Sequence, residues 1–165
     1  MSSQILDSSE SHQKLQRIAL EILERTSSRE HILLAGIQSS GFALAKIIAG
    51  YLNNFSGKHF TVYSVQINKP NPLQNEVKTD IDSELLTGAT LILIDDVQNS
   101  GRTLAYALKH FLNYPVLSIQ TCVLVDRRHN FFPVKADYIG LSLSTTLQEH
   151  VQVEVLGEEV TVTLR

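Results

Sequence analysis

At 165 residues the chain has room for one domain with a sizeable core and not for two. Hydrophobic residues at 43% and charged residues at 19% exclude disorder as the main state, and a net charge of −3 supplies no bulk positive field to draw the protein to nucleic acid or an anionic membrane. No apolar run approaches the roughly 18 residues of a membrane helix, no signal-type segment opens the chain, and a lone Cys122 allows no internal disulfide, so a cytoplasmic protein is expected.

In chain order, Gln13 to Arg25 sets Leu15, Ile18, Ala19, Ile22 and Leu23 at helical spacing and predicts an amphipathic helix. Ile32 to Ile37 is short and nearly all apolar, as expected of a strand covered on both faces. Phe42 to Leu52 repeats the helical stripe with Leu44, Ile47, Ile48 and Tyr51, and Phe60 to Val65 follows as a strand. The stretch Gln66 to Glu84 is polar, holds Pro70 and Pro72, and is too long for a plain connector, so a mobile functional loop is predicted. Thr90 to Ile94 is a buried strand, Thr103 to Leu112 a helix carrying Leu104, Ala107, Leu108 and Phe111, and Ile119 to Val125 another buried strand, with Cys122 as core packing. After Tyr138-Ile139-Gly140, Val151 to Val155 and Val160 to Leu164 alternate as half-buried strands across a turn at Leu156 to Glu159, which predicts a hairpin. Strands alternating with helices give an α/β fold, with a mostly parallel sheet and right-handed crossovers, in one domain spanning residues 1–165.

The run Leu91 to Leu104 carries the chemistry, because it joins a buried strand to two carboxylates, a turn of small residues and a helix. At the C-terminal edge of a parallel sheet, Asp95 and Asp96 can accept hydrogen bonds from vicinal hydroxyls or hold a hydrated Mg²⁺. The turn after them offers backbone N–H groups with the Ser100 and Thr103 hydroxyls at a helix start, which suits a phosphate, and Gly101 allows close approach. Read singly, the same acids could be a solvated strand end, and Asn99-Ser100-Gly101 an ordinary helix-capping turn.

As a whole, Ile94-Asp95-Asp96-Val97-Gln98-Asn99-Ser100-Gly101-Arg102-Thr103 resembles the phosphoribosyl-diphosphate signature of the type I phosphoribosyltransferases. Leu34 to Ala45, a strand followed by Gln38-Ser39-Ser40-Gly41 and a helix, is similar to that family's pyrophosphate loop. Val123-Leu124-Val125-Asp126-Arg127-Arg128-His129 and Pro133-Val134-Lys135-Ala136-Asp137-Tyr138-Ile139-Gly140 resemble the branch of bacterial pyrimidine-operon regulators that double as uracil phosphoribosyltransferases.

The resemblance implies a parallel central sheet flanked by helices, with a small hood and the C-terminal β-hairpin. It implies transfer of the phosphoribosyl group of phosphoribosyl diphosphate to a nucleobase, uracil first, with Mg²⁺ held mainly through the substrate. Asp95 and Asp96 would be the catalytic carboxylates on the ribose hydroxyls, Asn99, Ser100, Gly101, Arg102 and Thr103 would bind the 5′-phosphate, and Gln38, Ser39, Ser40 and Gly41 the pyrophosphate. Asp126, Arg127, His129, Tyr138 and Ile139 would border the base, although Arg127 with Arg128 also reads as a solvated turn. A homodimer or higher homo-oligomer is implied as well.

Three departures from the family pattern stand out. Gln38 and Ser40 occupy places where Lys and Arg are usual, Lys69 is the only cation in the region matching the mobile loop, and Asn99 replaces the Asp of purine enzymes or the aromatic of the regulator branch. Asn cannot serve as a general base. Leu147 and Gln152 stand where the regulator branch carries Arg and Lys, so RNA is a disfavoured partner. A nucleotide-sensing regulator with weak catalysis and a purine phosphoribosyltransferase remain as rival readings.

Overall fold

In the computed structural model, which describes residues 1–165, the chain opens with β1 (Ser3–Leu6), a strand the sequence pattern did not announce. Asp7 then caps the first helix: its carboxylate accepts from the Glu10 N–H at 2.8 Å, and the Glu10 carboxylate accepts from the Asp7 N–H at 2.9 Å. This reciprocal cap starts α1 (Ser8–Arg25) at Ser8 rather than at Gln13, where the apolar stripe begins. There follow β2 (Ile32–Ile37), α2 (Ser40–Ser56) and β3 (Val62–Gln66). The stretch expected to be one loop holds β4 (Lys78–Thr79) and the start of α3 (Ser83–Leu86), because Thr79 Oγ1 donates to the Ser64 carbonyl and the Ser64 N–H donates to Asp80 Oδ1. Then come β5 (Thr90–Gln98), α4 (Arg102–Phe111), β6 (Ser118–Asp126), β7 (Tyr138–Ser142), β8 (Val151–Leu156) and β9 (Glu159–Leu164).

The main sheet runs β4-β3-β2-β5-β6-β7, with parallel pairing throughout except for β4. Alternate residues of its central strands enter opposite cores, which is why those strands read as unbroken apolar runs. Leu34, Ile92, Ile94, Cys122 and Leu124 pack with α1 and α2, while Leu33, Ala35, Leu91, Leu93 and Val123 pack with α4. The Cys122 thiol is buried, and that burial pushes its pKa up and leaves it inert. A second, antiparallel sheet β1-β9-β8 closes the α1–α2 side through Val153, Val160 and Val162.

From β2 the chain steps outward to β3, then returns to the other side of β2 for β5 and continues outward through β6 and β7. The direction of winding reverses between β2 and β5, and a crevice opens there at the C-terminal ends of the strands.

Candidate active site

Asp95 and Asp96 end up inside β5 rather than beyond it, because the β5–β6 ladder continues to the pair Gln98 and Asp126. Asp95 is 2% exposed and its Oδ1 accepts the Asp96 N–H at 2.9 Å. Lys69 Nζ lies 2.9 Å from Asp95 Oδ1 and 3.6 Å from Asp96 Oδ1. Burial, then the charge of Asp96, pushes the Asp95 carboxyl up to about 7 against the opposing pull of Lys69. Burial works against the charge on Lys69, but the two carboxylates outweigh it and its pKa is raised.

The turn after β5 reverses at Gly101, whose φ of +85° is a left-handed conformation that glycine adopts without strain. The Arg102 N–H, first in α4, donates to Ser100 Oγ at 3.2 Å, and the N–H dipoles that follow it in the first turn carry no N-cap side chain and remain available to an anion. The resulting cleft, about 440 Å³, is lined by Lys69, Pro70, residues 95–104 and Val151. Arg102, expected at the 5′-phosphate, donates from its Nη2 to the Lys69 carbonyl at 2.9 Å and to the Pro70 carbonyl at 3.2 Å, and so ties the segment that carries Lys69 to the start of α4.

Gln38, Ser39, Ser40 and Gly41 form a neighbouring turn whose Gln38–Ser39 bond is cis, and Gln38 N–H donates to the Val65 carbonyl. This turn abuts the cleft rather than lining it. A Cβ on Gly41 would fall 2.7 Å from the Ile94 carbonyl oxygen and 2.9 Å from Asp95 Cα, so only glycine lets the start of α2 lie against the carboxylate strand.

Of the residues expected at the base, Arg127 is 6% exposed and is no solvated turn. Its Nη1 donates to Asn99 Oδ1 at 2.8 Å, its Nε to Thr145 Oγ1 at 2.9 Å, and its Nη2 to the carbonyls of Thr146 and Glu149 at 3.0 and 2.6 Å. His129 Nε2 meets the Thr145 carbonyl at 2.6 Å, a contact that requires the proton on Nε2, and Asp126 accepts from the Arg128 N–H at 3.0 Å. These three residues belong to one wall at the end of β6.

Tyr138 and Ile139 are not brought to the cleft. Tyr138 is wholly buried beneath α1, donates to Gln120 Oε1 at 2.7 Å and carries the Arg25 guanidinium 4.9 Å from its ring centre, and burial pushes its phenol up to about 12. The Ile139 carbonyl accepts from Arg17 and its side chain packs against the α4 core. The alternation of a strand explains the correction, since a motif read as a run places neighbouring side chains on opposite faces.

Sequence reasoning missed Gln98, Thr145, Glu149 and Val151. Gln98 is 3% exposed and its Nε2 donates to the Val134 carbonyl at 2.6 Å and to Asn130 Oδ1 at 3.2 Å, fixing residues 130–134 against β5. The one available signal was an amide where an apolar strand should still be burying its side chains.

A phosphoribosyl transferase domain model matches residues 1–158. The chain belongs to the phosphoribosyl transferase family. It is 37% identical over 161 residues to the bifunctional protein PyrR of Chloroflexus aurantiacus, covering 92% of this chain and 87% of that protein. It is 35% identical over 153 residues to the bifunctional protein PyrR of Streptomyces coelicolor, covering 88% of this chain and 79% of that protein. Its fold is similar to the hypoxanthine phosphoribosyltransferase of Trypanosoma cruzi, with a TM-score of 0.76 at 15% identity over 97% of this chain and 95% of that one. A hypoxanthine-guanine phosphoribosyltransferase of Bacillus anthracis gives a TM-score of 0.71 at 19% identity over 87% and 83% of the two chains. Both likenesses concern the fold.

Phosphoribosyl transferases of this fold generally use Mg²⁺. No three His, Cys, Asp or Glu side chains gather here as a metal site, so the protein alone offers Mg²⁺ too few ligands. Asp95 and Asp96 nonetheless draw the Lys69 ammonium to themselves, and a carboxylate pair of that potential fits a Mg²⁺ whose remaining ligands are substrate oxygens and water.

Proposed function

We propose that this phosphoribosyltransferase, acting as one domain over residues 1–165 in the cytoplasm, transfers the phosphoribosyl group of phosphoribosyl diphosphate to uracil, forming UMP and pyrophosphate. One observation carries the reading: Asp95 and Asp96, together with the turn and first residues of α4, line one cleft, which brings acceptors for sugar hydroxyls and N–H and hydroxyl donors for a phosphate to a single site. The identity to the bifunctional PyrR proteins, with the likeness of Val123 to Gly140 to the pyrimidine-regulator branch, supports uracil as the base.

In this reading Asp95 and Asp96 accept the ribose hydroxyls, and Ser100 to Thr103 cradle the 5′-phosphate. Ribose binding displaces Lys69, which then lies beside the pyrophosphate that Gln38 to Gly41 flank with neutral dipoles. Uracil N1 attacks C1 of the sugar as the C1–O bond to pyrophosphate breaks, and the N–H groups and Lys69 offset charge on the leaving group. Asp95 and Asp96 would hold Mg²⁺ together with substrate oxygens, and the ion, when bound, would supply further neutralisation of leaving-group charge. A homo-oligomer belongs to the same reading, and sedimentation at several protein concentrations tests it.

The uncharged Gln38 and Ser40 favour a second reading, a UMP sensor with little turnover. Pyrophosphate release measured with uracil, hypoxanthine and guanine separates the possibilities. Turnover with uracil supports the transferase, turnover with a purine alone replaces the base, and tight UMP binding without turnover supports the sensor.

A further inference from the structure

The turn after β5 can be built in two ways, and its own residues do not choose between them. The Ser100 carbonyl and the Gly101 N–H belong to one trans peptide and point in opposite directions. Turning that peptide over would exchange them, and glycine, unhindered at positive or negative φ, permits either state. One state offers an anion an N–H, and the other offers it an oxygen.

The choice is made by the segment that follows β6. The Ser100 carbonyl accepts from the Phe131 N–H at 2.9 Å and from the Phe132 N–H at 3.0 Å, so it faces residues 130–134. The Gly101 N–H therefore faces away from them, and it donates to no backbone carbonyl. Residues 100–104 line the cleft and residues 130–134 do not, so the side turned away from that segment is the cleft side. The segment is held in turn by Gln98, the last residue of β5, whose Nε2 donates to the Val134 carbonyl at 2.6 Å and to Asn130 Oδ1 at 3.2 Å. A backbone carbonyl only accepts, so the atom against Val134 is the amide nitrogen. The same nitrogen and the Phe132 carbonyl oxygen would each lie 3.4 Å from a Cβ on Gly101, which puts both against the turn itself. Gln98 Oε1 is buried without a partner, a cost that an apolar side chain would have avoided, so packing does not account for an amide here.

We propose that Gln98 is a positioning residue for the 5′-phosphate. It holds residues 130–134 against the turn, that segment holds the Ser100 carbonyl, and the Gly101 N–H is thereby aimed into the cleft. The proposal rests on the phosphoribosyl-transfer reading, and Gln98 acts in it through the Ser100–Gly101 peptide rather than by touching substrate. Without the Gln98 donor the segment loses its tie to β5, the peptide samples both states, and for part of the time a phosphate meets an oxygen. The sugar hydroxyls, met by Asp95 and Asp96, are unaffected.

Gln98→Met removes the donor at similar length and volume, and circular dichroism checks that the variant folds. Calorimetry with UMP and with uridine, which lacks the phosphate, is run on the variant and on the unaltered protein. The expected result is a loss of about 10-fold in UMP affinity with uridine affinity held within about 2-fold. In turnover with uracil, KM for phosphoribosyl diphosphate should rise about 10-fold while kcat stays within about 2-fold, as for an interaction made equally in the ground and transition states. A merely structural role would weaken UMP and uridine alike. A second readout needs no variant: in the ¹⁵N-labelled unaltered protein the Gly101 amide proton should move downfield with UMP and not with uridine. Unchanged UMP affinity in Gln98→Met, equal losses for UMP and uridine, or a Gly101 amide that does not respond to UMP overturns the inference and leaves phosphoribosyl transfer standing. An unaltered protein that binds neither phosphoribosyl diphosphate nor UMP overturns that reading and the inference with it.

Discussion

The two flanks of the cleft, neither of which lines it directly, are built differently. On the β6 side, Arg127 is buried and spends its donors on Asn99, Thr145, Thr146 and Glu149, so the wall is rigid before any ligand arrives. On the β2 side, the turn at Gln38 to Gly41 carries no charge, and the one nearby cation, Lys69, is engaged with Asp95. In the proposed reading the β6 side would border the base with a preformed wall, and the β2 side would meet leaving-group charge with dipoles and a side chain that has to move. The difference teaches that base recognition and leaving-group stabilisation would be separable, because they would reside in different turns.

The strongest way to break the comparison is to remove what both walls serve. Asp95→Asn with Asp96→Asn should abolish phosphoribosyl diphosphate binding, at least about a 100-fold loss in affinity, while the circular dichroism spectrum stays native. Retained affinity would show that the carboxylates do not hold the ribose.

Arg127→Ala attacks the rigid wall alone. It leaves two partly buried carbonyls and Asn99 without their donor and should cost about 1–3 kcal/mol in urea unfolding, with uracil turnover lost. Arg127→Lys should rescue little, because one ammonium cannot reproduce the forked contacts. On the other wall, Gly41→Ala forces a Cβ to within 2.7 Å of the Ile94 oxygen, and the neighbour that must yield carries Asp95. A stability loss of about 1–3 kcal/mol is expected, with weakened ribose binding.

Asp95 gives a pH signature. Its folded pKa of about 7 lies above the ordinary carboxylate value, so the native state binds the extra proton between about pH 4 and 7. The resulting stability is full below about pH 4 and is lost as pH rises through 7. Asp95→Asn should therefore gain on the unaltered protein across that window, by an amount on the order of a few kcal/mol, and track it above. Phosphoribosyl diphosphate affinity should rise over the same range, since the ionised carboxylate is the better acceptor. The smallest effect is expected from Arg102→Ala, which frees the Lys69 and Pro70 carbonyls and should speed exchange of the 66–76 amides while leaving global stability within about 0.5 kcal/mol.

Periodicity made the central strands and the three long helices legible, because each must hide an apolar stripe. It missed β1 and the true start of α1, which depend on a hairpin partner far along the chain and on a cap rather than on a stripe. Asp95, Asp96 and Ser100 to Thr103 were legible because their chemistry is local, a strand end and a helix start adjacent in sequence. The Arg127 wall was not, since Asn99, Arg127 and Thr145 meet only through tertiary folding, and nothing in the order of residues distinguishes Arg127 from an arginine in a solvated turn. Tyr138 misled for the converse reason: its neighbours in sequence matched a motif while its side chain faced the core.

The central claim is tested most directly by calorimetric titration of the purified chain with phosphoribosyl diphosphate and with UMP, each with Mg²⁺, followed by pyrophosphate release with uracil. Saturable one-to-one binding of both, with pyrophosphate released on addition of uracil, is the predicted result. Binding of neither sugar phosphate would contradict the account.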